Sequence, residues 1–234
     1  MIIEEQKLNG WMTTAEAGVI LGVGRLQIAR LVRDGELDAI QSAGGAFLVN
    51  AESLERYRIL FRGRGRPWDK SVSWGALWVL SGLKEEWLTY TQLQRLSTRL
   101  KNTKAADLVW AVRKRAETMR FRIGESFFPS AKEMISISGV GSDLILRHGL
   151  TPHSNRIEGY IDKNNLKKFV KKFHAVQGEN ANAIIHILAN PPFELDNYQQ
   201  MPVAVVAADL CASLDVRERN AGIETLKGLL NDRI

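Results

Sequence analysis

A chain of 234 residues with 45% hydrophobic side chains has the material for a buried core and room for one to three domains. Its net charge of +6 is the balance expected of a partner of acidic polyanions, nucleic acid foremost, although charge of this size also serves plain solubility. The one cysteine, Cys211, excludes an internal disulfide, and the apolar runs AGVILGVG and VAVVAADLCA are too short to span a bilayer, so a cytoplasmic protein without a membrane partner is expected.

In chain order, the opening MIIEEQKLNG lacks the basic and apolar regions of a signal peptide. Thr13, followed three residues later by Glu16, forms a capping box that predicts a helix from about Ala15, with Ala17, Ile20 and Leu21 on one face. Gly22-Val23-Gly24 reads as a tight turn. A second helix follows with Ile28, Leu31 and Val32 facing inward, and Gly35 stops it. Two short helices across a glycine turn make a helix-turn-helix. From Asp38 to Val49 the pattern alternates around Ala43-Gly44-Gly45, which predicts a two-stranded hairpin, or wing, with Ile40, Phe47 and Val49 apolar. Asn50 is placed to cap a third helix holding Leu54 and Tyr57.

The stretches TTAEAGVILGVG, RLVRDGELDAI and FLVNAESLERY, in that order, resemble the excisionase and MerR-type helix-turn-helix family over about the first quarter of the chain. The resemblance implies that the second helix enters the major groove of double-stranded DNA. Arg25, Gln27 and Arg30 would then meet base edges, and Arg33, Gln41 and Ser42 phosphates. Gly24 stands where the family has a serine or threonine cap, and Leu26 where a small polar residue is usual. Leu26 then either meets a thymine methyl or packs against another group. A helix-turn-helix used for protein contact is the alternative.

Next comes FRGRGRPWDKSVSW. Its Arg64-Gly65-Arg66-Pro67 carries the core of an AT-hook, which lies in a narrow minor groove; a basic hinge following phosphates and a simple tight turn are the other readings. Under either DNA reading, Arg62, Arg64 and Arg66 add salt-sensitive affinity. Beyond it, Trp74, Leu77, Trp78 and Leu80 are core or inter-domain residues, Thr91 and Gln94 form a second capping box, and a helix is expected from about Ala105 to Met119. Between Arg95 and Arg122, nine basic residues (Arg95, Arg99, Lys101, Lys104, Arg113, Lys114, Arg115, Arg120, Arg122) face only Asp107 and Glu117. This stretch is either a second DNA-backbone contact, including Arg113 and Lys114, or a solvated face, or a surface for an acidic protein.

From Met134 the pattern becomes α+β: strands at ISISG, RIEGYID and ANAIIHIL, helices over 142–148 and over KNNLKKFVKKFH, and two closing helices from Pro202. In the lysine-rich helix Leu166, Phe169, Val170 and Phe173 make the buried stripe. From Glu179 onward acids outnumber bases eight to four, which is either ordinary surface variation or a second partner of opposite sign. Taken with the N-terminal helix-turn-helix, ISISGVGSDLILRHGL, GYIDKNNLKKFV and VAVVAADLCASLDVRERNAGIETLKGLL resemble antitoxins of the abortive-infection AbiEi type and related partners of nucleotidyltransferase-like toxins. That resemblance implies autorepression and neutralisation of a toxin by contact.

His148, His153, His174 and His186 are scattered, no CxxC is present, and Gly139-Val140-Gly141-Ser142-Asp143 has no Asp-x-Asp nearby to hold metal, so a turn is expected there and neither catalytic residues nor a cofactor or metal. Cys211 is expected to be buried and inert. The expected architecture is helix-rich α+β: a winged helix-turn-helix over 1–60, a basic linker over 61–73, a basic helical region over 74–133, and an α+β domain over 134–234 for a protein partner or a homodimer. The expected function is that of a sequence-specific transcriptional regulator, an antitoxin-like autorepressor, with an excisionase-like architectural protein as the alternative.

Overall fold

The computed structural model describes residues 10–42, 44–60, 65–151, 154–178 and 181–232. The chain is mixed α+β and divides into two compact units, Met1–Phe61 and Arg62–Ile234. Among the described residues no helix is long and apolar enough to cross a membrane.

In the first unit, α1 (Thr14–Leu21) begins on the expected capping box: the Glu16 amide donates to Thr13 Oγ1 at 3.2 Å and the Thr13 amide to Glu16 Oε2 at 2.8 Å. It ends at Gly22, whose φ of 68° is left-handed, and the Val23 amide closes the turn on the Gly18 carbonyl at 2.9 Å. The turn lies so close to α1 that a Cβ on Gly18 would stand 2.6 Å from the Val23 oxygen. Helix α2 (Arg25–Arg33) buries Ile28 and Leu31. Strands β2 (Ala39–Gln41) and β3 (Phe47–Asn50) form the hairpin, and a strand not expected from the sequence, β1 (Trp11–Thr13), pairs with β3 on its other side. The Asn50 side chain accepts from the Ser53 amide at 2.9 Å at the start of α3 (Ala51–Leu60). The core is Ala17, Ile28, Leu31, Leu37, Val49 and Leu54. Ile20, expected on the inner face, is half exposed: α1 presents the Ala17–Leu21 edge, and Ile20 lies about 100° from Leu21 around the axis.

The second unit opens with α4 (Lys70–Leu80), capped by Asp69, and α5 (Tyr90–Lys101). The sequence TYTQLQ offers two Thr-x-x-Gln boxes, and the one used is Thr89–Gln92 rather than Thr91–Gln94. The buried Glu85 decides this, because its carboxylate accepts the Leu88 amide at 3.0 Å and holds the chain at the residue before Thr89. Helix α6 is shorter than expected, Ala105–Val112. The stretch beyond it is β4 (Glu117–Arg122), where Met119, Phe121 and Ile123 follow a period of two and pair with a partner strand far along the chain. After α7 (Phe128–Lys132) come β5 (Ser136–Ile137), α8 (Leu144–Arg147), β6 (Ile157–Asp162), α9 (Lys163–Lys172), β7 (Val176–Gln177), β8 (Ala183–Leu188), α10 (Val203–Leu210) and α11 (Val216–Asp232).

The five strands run in the order β5-β6-β8-β4-β7, with β6 and β8 parallel and every other pair antiparallel. The segment expected to be helical, 74–133, therefore supplies β4 to the same sheet as the strands beyond Met134. Alternation along the strands sends Ile157, Ile161, Ile185, Ile187 and Phe121 to one face, where Phe169 of α9 and Phe173 at its C-terminal cap cover them. Glu158, Tyr160, His186 and Thr118 fall on the other face, towards Asp209 of α10. Trp74 stands there against Tyr160, with ring centroids 5.6 Å apart, and joins Trp78 and Phe193 in an aromatic cluster.

Candidate nucleic-acid interface

Helix α2 has two unlike faces. Ile28 and Leu31 point into the core, while Leu26, Arg30 and Arg33, spaced four and three residues apart, form an outward stripe, with Arg25 and Gln27 also exposed in the first turn. Leu26 is 84% exposed. Arg30 Nε lies 3.7 Å from Asp34 Oδ2, and Arg33 Nε donates to the Ala29 carbonyl at 3.2 Å, so these two guanidinium groups lie along their own helix. In the hairpin, Gln41 Nε2 donates to the Gly45 carbonyl at 3.0 Å and Ser42 Oγ accepts the Ala46 amide at 3.2 Å. Both side chains brace the turn whose tip they flank; Ala43 lies outside the described residues. Gly24 is the N-cap of α2 and contributes no side-chain cap bond.

Arg62 and Arg64 of the linker lie outside the described residues. From Gly65 onward the linker is fastened to the second unit. The Gly65 carbonyl accepts Trp110 Nε1 at 3.2 Å, and the Trp68 amide donates to the Ala111 carbonyl at 2.8 Å. Gly65 itself has φ +85°, a conformation costly for any side chain. The Arg113 guanidinium stacks 3.4 Å above the Trp110 ring and donates to the Trp110 carbonyl at 2.8 Å, and Arg99 lies 5.9 Å from the Trp68 ring centroid. Arg99 and Arg113 thus each lie against a tryptophan of a ledge to which the linker backbone is tied on either side of the exposed Arg66; Lys114, next along the chain, is half-buried. Arg115 does not belong to this surface. It is 8% exposed and paired with a buried carboxylate, so the basic stretch offers solvent less positive charge than its sequence suggests.

That carboxylate is Asp209, the centre of a buried network. Arg115 Nη2 donates to Asp209 Oδ1 and Arg115 Nε to Tyr160 Oη at 3.0 Å; Tyr160 Oη donates to Asp209 Oδ1 at 3.1 Å, and Ser138 Oγ donates to Asp209 Oδ2. His186 Nε2 meets Glu158 Oε1 at 3.0 Å, its Nδ1 meets Thr118 Oγ1 at 2.9 Å, and the Val140 amide donates to Glu158 Oε2 at 3.2 Å. Burial opposes the charge on Arg115, but Tyr160 and Asp209 more than offset it and hold the guanidinium above its ordinary value. Burial pushes the Tyr160 phenol well up, and it stays neutral. Burial also pushes Glu158 up, but His186, the Val140 amide and Arg156 outweigh it and leave the carboxyl below its usual range.

Glu158, His186 and Asp209 each offer a ligand atom, and these lie within 4.8 Å of one another, a spacing that fits a metal ion. Glu158 Oε1 is hydrogen-bonded to His186 Nε2, Asp209 accepts from Arg115, Tyr160 and Ser138, and the guanidinium faces Asp209 where a second cation would be repelled. Glu158 and His186 are joined directly by a hydrogen bond, and Asp209, 3.6 Å from His186 Nε2, is held by Arg115, Tyr160 and Ser138, all within one buried polar core. The turn Gly139–Gly141 belongs to it: Gly139 has φ +49°, and a Cβ there would fall 1.9 Å from Glu158 Oε2. Sequence reasoning passed over this cluster. The signal was present as single polar residues in apolar runs, Glu158 and His186 in their strands and Asp209 in α10. Of the other histidines, His148 Nε2 contacts Thr225 Oγ1 at 2.8 Å, His174 is exposed, and His153 lies outside the described residues. Cys211 is buried, and burial pushes its thiol up to about 12.

Compared with protein-family models, with curated proteins and with solved structures, the chain matches none.

Proposed function

We propose that the chain is a sequence-specific, double-stranded-DNA-binding transcriptional regulator of the antitoxin-like, autorepressing kind. In this reading the first unit is a winged helix-turn-helix: α2 enters the major groove with Arg25, Gln27 and Arg30 at base edges, and Arg33, Gln41 and Ser42 approach phosphates. The ledge carrying Arg66 and Arg113 adds sequence-independent affinity, joined by Arg62, Arg64 and Lys114. The second unit, at Arg62–Ile234 much the larger, serves a protein partner, such as a cognate toxin, or a second copy of the chain.

The observation that carries the reading is the outward stripe of α2. A short helix that buries Ile28 and Leu31 holds Arg25, Leu26, Gln27, Arg30 and Arg33 exposed on its other side. Among the described residues the first unit's core does not include those side chains, and their chemistry is that of groove readout.

The test is fluorescence anisotropy of the full chain with its own promoter fragment and with random duplexes, in dilute and in physiological salt. Preference for the promoter supports the reading; indifference to both duplexes in dilute salt ends it. A pull-down with the full chain as bait tests the partner, and failure to retain the product of a neighbouring gene would end the antitoxin part. Protection of a mobile element's attachment site in place of the promoter would replace autorepression with an excisionase-like role.

A further inference from the structure

We infer that Leu26 reads thymine 5-methyl groups in the major groove and so sets a preference for A·T pairs at the start of the α2 contact; the inference rests on the DNA-binding reading above. From sequence, Leu26 either meets a thymine methyl or packs against another group. Within the described residues of the first unit nothing covers it: Leu26 is 84% exposed, and Val19 at 84%, Ile20 at 50% and Val23 at 38% accompany it between α1 and the start of α2. Four exposed aliphatic side chains within eight residues leave apolar surface that the described residues of the first unit do not cover.

The surroundings decide what covers it. Leu26 sits between Arg25 and Gln27 and shares its stripe with Arg30 and Arg33. A second copy meeting this face around a two-fold axis would set the same arginines against one another, and Asp34, already beside Arg30, offsets only part of that charge. A duplex supplies phosphates for the arginines and, between them, one exposed apolar group on the floor of the major groove, the C5-methyl of thymine. Aliphatic contact with that methyl places Leu26 among polar readers without leaving a buried polar atom unpaired. Gln27, one residue on, has the amide that pairs in bidentate fashion with the adenine opposite a thymine, so the two neighbours favour the same base pair.

The experiment starts from selection of bound duplexes out of a random pool by the full-length protein. Each thymine of the selected site is then replaced singly by deoxyuridine, which removes the methyl and leaves charge and hydrogen-bonding edges unchanged. Dissociation constants are measured for the wild type and for Leu26→Ala, a change that an exposed position tolerates. One or two deoxyuridine positions are expected to weaken wild-type binding about four-fold each, the worth of one buried methyl-sized group, and Leu26→Ala is expected to bind the thymine and deoxyuridine sites equally. A wild type blind to every replacement, or a Leu26→Ala protein that keeps the discrimination, overturns the inference while DNA binding stands. The same holds if Leu26→Ala alters only self-association in sedimentation velocity, or if the pool yields binding without an enriched sequence. Absence of binding to any duplex removes the DNA-binding reading itself, and the inference with it.

Discussion

Replacing Arg115 by methionine removes one half of the buried ion pair at the centre of the second unit. Arg115 is 8% exposed and Asp209 4%, so neither side chain has bulk water to fall back on. The substitution deletes donations to Asp209, to Tyr160 Oη at 3.0 Å and to the Val112 carbonyl at 3.2 Å. Asp209 would keep only Tyr160, Ser138 and the edge of His186, whose Nε2 is 3.6 Å away. Leaving one charge of such a pair buried without its partner costs about 3–5 kcal/mol. At about 2–4 °C per kcal/mol for a unit of this size, the midpoint of thermal unfolding should fall by roughly 6–20 °C. Urea unfolding followed by tryptophan fluorescence is the assay, because Trp74 stands against Tyr160 and reports on this part of the core. The double variant Arg115→Met with Asp209→Leu removes both charges and should recover most of the loss. A loss below about 1 kcal/mol, or a double variant no better than the single, would refute the argument that pairing, rather than packing, is what Arg115 contributes.

Gly18→Ala places a Cβ 2.6 Å from the Val23 carbonyl oxygen, a backbone atom with little freedom to yield, so the first unit should lose about 1–3 kcal/mol in denaturant titration; a neutral result would mean that the turn is not tightly seated. Glu158 titrates in the folded protein below its ordinary value of 4.5, so the unfolded chain takes up this proton first. Stability should therefore drop as pH falls below about 4.5, and His186→Gln should make that drop shallower in urea midpoints measured from pH 6 to pH 3; parallel profiles would show that His186 does not hold the carboxylate. Arg66→Ala with Arg99→Ala should weaken binding to all duplexes alike and flatten the plot of log K against log salt by about 0.9 for each phosphate no longer neutralised, whereas an unchanged slope would place the ledge off the DNA. Cys211, with its thiol pushed up to about 12, should react with a thiol reagent at pH 8 only once urea unfolds the protein; rapid labelling of the native state would contradict its burial.

Local order was legible in the residues themselves. Thr13 and Glu16 start α1, Gly22 and Gly35 end α1 and α2, and Asn50 starts α3, because capping and left-handed turns depend on neighbours a few residues apart. The stripe of Phe169 and Phe173 was equally readable, since helical period is a property of one segment. Pairing between distant segments was decided only by the tertiary structure. Whether residues 117–122 continue a helix or form β4 depends on the ladder that β8 offers some 65 residues later, and β1 exists because β3 has a second edge to fill. Arg115 counts as surface charge along the chain and becomes core once Asp209, 94 positions on, arrives beside it. Glu158 and His186 meet because β6 and β8 lie parallel and in register, and no spacing in the sequence encodes that juxtaposition. Short-range chemistry wrote the elements; long-range closure chose which polar residues would be drawn inside, because a buried charge persists only where its partner is delivered from elsewhere in the fold.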